Sequence, residues 1–90
     1  MATLIKADGR ECGLHPQNGS TFTLEELQNA VGGYIEIVEI DKEFDMVVNE
    51  EGKLQLLPLN ETATRLYQRA RYTDDVIVGN VLLCNKIEIE

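Results

Sequence analysis

Thr23-Leu24-Glu25-Glu26 and Gly32-Gly33-Tyr34-Ile35-Glu36-Ile37-Val38 constrain this chain more than any other stretch. The first is a capping box. The Thr23 hydroxyl can accept from the amide of Glu26, whose carboxylate can reach back to the amide of Thr23. Phe22, just ahead of the cap, is placed to pack on Leu27 as a hydrophobic staple. Leu24, Leu27 and Val31 fall on one apolar stripe. Gly32 stands where the helix needs a left-handed residue to stop. The alternation Tyr34 to Ile40 then opens a strand. It slips at Ile37-Val38, which implies a bulge or a strand buried on both sides.

The same reading extends along the chain. Thr3–Lys6 and Arg10–Leu14 are strands around an Asp8-Gly9 turn. His15-Pro16-Gln17-Asn18-Gly19 interrupts regular structure. Phe44–Val48 and Leu54–Leu57 flank Asn49-Glu50-Glu51-Gly52 as a hairpin. Pro58 stops the second arm. Asn60 caps a second helix whose inner face is Ala63, Leu66, Tyr67 and Ala70, and Asp74-Asp75 breaks it. Val76–Cys84 is the most apolar run, either one strand bent at Gly79 or two strands divided there. Lys86–Glu90 alternates acid with Ile as an edge strand. The order ββαβββαββ implies an α+β domain: a mostly antiparallel β-sheet with two short helices packed on it.

Size sets the energetics. Ninety residues make a single domain, spanning 1–90, with a limited core. Without Trp, and with Phe22, Phe44, Tyr34, Tyr67 and Tyr72 as its aromatics, that core is aliphatic. A limited core favours self-association, so a homo-oligomer is a standing expectation. The net charge of −8 opposes loose binding to nucleic acid or anionic membranes. It serves solubility or, alternatively, an acidic surface that imitates DNA for a basic partner. Cys12 and Cys84 share no close-spaced ligand pattern, so buried free thiols are expected rather than a disulfide or a zinc site. No apolar run approaches membrane-span length, and the N-terminus lacks the layout of a signal peptide. The expectation is a soluble, cytoplasmic protein.

Four segments, Gly32-Gly33-Tyr34-Ile35-Glu36, Asn49-Glu50-Glu51-Gly52-Lys53-Leu54, Leu57-Pro58-Leu59-Asn60 and Asp75-Val76-Ile77-Val78-Gly79-Asn80, resemble a small domain family of no established activity. That family is encoded largely by bacteriophages and mobile elements. The resemblance runs from about Leu4 to Cys84. It implies a setting of phage–host conflict or phage accessory functions.

The residues offer little chemistry. His15 is the only histidine and Ser20 the only serine, and no nucleophile elbow surrounds Ser20. Gly32-Gly33 closes a helix, where the dipole repels phosphate. No enzyme activity, metal or cofactor is therefore expected. Two loci remain as binding candidates. Arg65, Arg69 and Arg71, with Tyr67 and Tyr72 beside them, offer guanidinium groups that grip phosphate and stack on bases. The alternative is a solvated helix face pairing with Glu61. Asn49 and Glu51 offer an amide and a carboxylate to ribose hydroxyls or an amine, or else form a plain turn. Tyr34 and Asn60 complete the candidate ligand set. The reading that unites them is a non-enzymatic phage protein that sequesters a nucleotide-type immune signal. Its alternatives are an acidic inhibitor of a host restriction or CRISPR enzyme, and an accessory module with no ligand.

Overall fold

In a computed structural model, residues 2–89 are described. The strands are β1 (Ala2–Ile5), β2 (Glu11–Leu14), β3 (Ile35–Glu39), β4 (Phe44–Asn49) and β5 (Val81–Asn85), and the helices are α1 (Leu24–Val31) and α2 (Glu61–Arg71). A short 3-10 turn, Lys86–Glu88, follows β5. The five strands form one antiparallel sheet in the order β2-β1-β5-β4-β3. The fold is α+β, as the sequence implies.

The last strand occupies the middle of the sheet, which explains why it is so apolar. Both of its faces are covered: Val81, Leu82 and Cys84 have no exposed surface. One face meets α1, where Leu27, Val31 and Phe22 pack on Val47, Leu82 and Cys84. The opposite face meets α2, where Ala63 packs with Ile5, Met46, Val48 and Val81. The two helices thus sit on opposite sides of the sheet. The slip at Ile37-Val38 has the same cause: Ile35 joins the α1 side and Val38 the α2 side.

The signals around α1 are realised. Both arms of the capping box form, Gly32 is left-handed at φ 81°, and Phe22 and Leu27 are buried in one cluster. Leu24 is the exception and lies exposed. On α2, Leu66 turns outward and Thr64 is buried in its stead. The Thr64 hydroxyl donates to the carbonyl of Ile77 and accepts from its amide.

Three expected strands take other forms. Leu54–Leu57 coils through turns, with the amides of Gln55 and Leu57 bonded to the carbonyls of Glu51 and Gly52. Its supposed partner β4 already has β3 on one side and β5 on the other, so no edge is left for it to pair with. The hairpin instead joins β3 to β4, where Asp41 Oδ1 accepts from the amides of Glu43 and Phe44. Val76–Val78 does not extend β5: Gly79, at φ 77°, divides the run, and Val78 makes only an isolated bridge to Leu59. Lys86–Glu88 winds into its turn because Asn85 caps it, accepting from the amide of Ile87 while Glu88 accepts from the amide of Asn85. Ile89 forms one parallel bridge to Phe22, and Glu90 lies outside the described residues.

Both cysteines are free, but only Cys84 is buried; Cys12 is exposed because β2 is an edge strand. Burial pushes the Cys84 thiol up to about 12, and the carboxylates of Glu88 and Asp45 add to the effect. Under native conditions a thiol reagent should therefore modify Cys12 promptly and Cys84 only after denaturant is added, as read by mass spectrometry.

Gly79 also sets a packing limit. A Cβ there would lie 2.8 Å from Leu57 Cδ1, on a backbone already left-handed. Gly79→Ala should lower stability by about 1–3 kcal/mol in urea titrations, combining left-handed strain with overpacking.

Candidate functional site

Asn60 organises the side of the molecule that carries the candidate site. Its side chain caps α2 by accepting from the amide of Ala63 (3.0 Å). Its amide nitrogen donates to the carbonyls of Ile5 and Gly79, each at 2.9 Å. Its backbone amide donates to the carbonyl of Ile77. One buried side chain thereby joins the end of β1, the start of α2 and the segment leading into β5. Leu57 completes the arrangement by packing between Gly52 and Gly79.

These ties open a cleft of about 170 Å³ between α2 and the sheet. Glu36, Val38 and Val48 form its floor, half-buried Tyr67 one wall, and the Glu50–Leu54 and Asp75–Val78 segments the other sides. Lys53 Nζ meets Asp75 Oδ1 at 2.6 Å, with both side chains more than half exposed. That contact, with the amide of Val76, holds the Asp75 carboxyl below its ordinary range. Glu36, Glu50 and Asp75 outnumber Lys53, so the lining is net negative. Such a lining receives donors (amines, hydroxyls, ring N–H groups) better than it receives phosphate. Among the described residues, no three His, Cys, Asp or Glu side chains are grouped to hold a metal ion.

The sequence-derived candidates do not converge. Tyr67 faces the cleft, but Arg65 and Arg69 line a separate shallow groove with Thr62 and Leu66. This follows from helix geometry, since a residue two positions away points to the far side. Arg65 is 75% exposed and only 3.9 Å from Glu61, a weak surface pair. Arg71 is drawn away to Glu39 at 3.5 Å. Tyr72 takes the left-handed C-cap of α2 and stands 96% exposed. Tyr34 and Glu51 border a third, open hollow beside α1.

Asn49 and Asn60 are committed to the fold. Asn49 Nδ2 donates to the carbonyl of Val31 and Oδ1 accepts from the amide of Glu51. Both asparagines are buried, with their side chains bonded within the fold, and Asn49 also lines the cleft. The residues that the sequence reading missed are Glu36, Val38, Lys53 and Asp75. The available signal was the segments themselves: three of the four quoted for the resemblance meet at this cleft.

The family model described as Domain of unknown function (DUF3846) matches residues 3–90. The chain belongs to this family. Neither a curated protein nor a solved structure matches it. In this DUF3846 chain no helix among the described residues is long and apolar enough to cross a membrane.

If Asn60 is the tie described above, Asn60→Ala should cost about 2–4 kcal/mol, because it strips a helix cap and removes the side-chain donor shared by the Ile5 and Gly79 carbonyls. Thermal and urea unfolding would measure this. A cost like that of an exposed Asn would show that the tie carries no weight.

Proposed function

We propose that this DUF3846 protein is a non-enzymatic binding protein that sequesters a small nucleotide-type signal, and that it serves a phage or mobile element against host defence in the bacterial cytoplasm. The observation that carries this reading is the cleft under α2. It offers the flat ring of Tyr67 to a base, and the carboxylates of Glu36, Glu50 and Asp75 to ribose hydroxyls and exocyclic amines. Phosphates are better placed toward solvent near Lys53, which is free to exchange its exposed carboxylate partner for a phosphate oxygen. The arginine pair on the far side of α2 is not required by a ligand bound within one copy.

An acidic, DNA-imitating inhibitor draws less support. Asp8, Glu39, Asp45 and Asp75 each pair with a Lys or Arg, so the acids are interspersed with bases rather than gathered into one unbroken face.

Isothermal titration of the folded protein against adenosine, guanosine, ADP-ribose and cyclic dinucleotides tests the reading. Saturable heat with at least one of them is expected. Tyr67→Ala should weaken binding about tenfold or more by deleting the stacking ring, whose loss costs roughly 1–3 kcal/mol per base. Arg65→Ala should leave it unchanged. No heat from any probe, or binding abolished by Arg65→Ala and untouched by Tyr67→Ala, would overturn it.

A further inference from the structure

The cleft has an open flank, and β3 forms it. This strand ends the sheet, and Glu36 and Val38 on it are part of the cleft floor. The carbonyl of Tyr34 accepts from Glu50, and the amide of Ile40 donates to Phe44. In an antiparallel ladder, bonding positions alternate. The even-numbered residues of β3 therefore face β4, and the N–H and C=O groups of Ile35, Ile37 and Glu39 point away from the sheet. Among the described residues, none of those three amides donates a hydrogen bond elsewhere. Ile37 is also 47% exposed, an apolar side chain on an unpaired edge. Such an edge is a template for another strand.

We infer that β3 pairs antiparallel with β3 of a second copy about a two-fold axis through Ile37, joining the two clefts into one trough. The strand's own sequence selects this partner. Centred on Ile37, the pairing uses all of Ile35–Glu39. Ile37 meets the partner's Ile37, Glu36 meets the partner's Val38, and Ile35 meets the partner's Glu39. Each carboxylate thus faces an apolar residue directly. Centring on Glu36 would set it against the partner's Glu36, a destabilising like-charge pair. Glu39 is already neutralised on its own side by Lys86 at 2.9 Å and Arg71 at 3.5 Å, so it can sit beside the seam.

The pairing also completes the site. Glu36 and Val38 lie on the α2 side of the sheet, so the seam runs along the cleft floor and brings the partner's Val38 and the partner's Glu36 beside them. One cleft of about 170 Å³ is smaller than the roughly 300–1,000 Å³ typical of ligand pockets, and two side by side reach the lower end of that range. The strand pairing stands on β3 alone, whereas the shared trough rests on the ligand reading above.

Sedimentation equilibrium without ligand tests the pairing. The expected mass is twice the 10.1 kDa of one chain. Ile37→Lys, which sets ammonium against ammonium at the axis, should return the protein to the mass of one chain with its circular dichroism unchanged. Ile37→Pro should do the same, because it deletes an outward N–H that the β3–β4 ladder does not use. A wild-type protein that sediments as a single chain at every concentration would overturn the inference, as would a dimer that both variants leave intact. Titration with adenosine, guanosine, ADP-ribose and cyclic dinucleotides separates the two proposals: a monomer that binds one of them sinks the pairing and leaves the ligand reading standing, and a dimer that binds none sinks the ligand reading and leaves the pairing standing.

Discussion

A buried amide on Asn60 holds this molecule's working side together. The Asn60 side-chain amide donates to the carbonyl of Ile5 at the end of β1 and to that of Gly79 ahead of β5, tying the two segments together. The same side chain starts α2. The positions of Tyr67 on the helix and of Asp75–Val78 beside it follow from that one junction. Asn60 is therefore valuable as an internal strut, because a ligand could engage it only by breaking bonds that build the site.

Around this strut the sheet achieves with a small aliphatic core what a larger chain does with aromatics. β5 is covered on both faces, so Val81 to Cys84 each serve one of two clusters. The helices on opposite sides leave β3 as an edge. Charges gathered near its end (Glu39, Asp45, Lys86 and Arg71) pair with one another and leave its outward backbone groups open. The proposed binding surface lies at the same edge, where the cleft floor and the unpaired backbone adjoin.

Much of this was readable from local signals and little from long-range ones. The α1 capping box, the Gly32 stop, the Asp8-Gly9 turn and the cap at Asn60 are decided within a few residues, and all are present. The strand at Leu54–Leu57 failed because alternation alone does not reveal that β4 has no free edge. Lys86–Glu88 failed because an Asn85–Glu88 capping box outweighed an alternating pattern of Ile and Glu. The candidate site suffered most. Three arginines near one another in sequence looked like one locus, yet helical geometry sends Arg65 and Arg69 away from Tyr67, and Arg71 finds Glu39. Lys53 and Asp75, separated by 22 positions, meet at 2.6 Å, a contact that no spacing rule shows.

The central claim is spatial: whatever this protein holds, it holds between α2 and the sheet. A nuclear magnetic resonance titration of isotope-labelled protein with ADP-ribose tests that most directly. The account predicts amide shifts concentrated at Glu36, Val38, Lys53, Tyr67 and Val76, with the Thr62, Arg65 and Arg69 groove silent. Shifts centred on that groove, with the cleft unmoved, would contradict it.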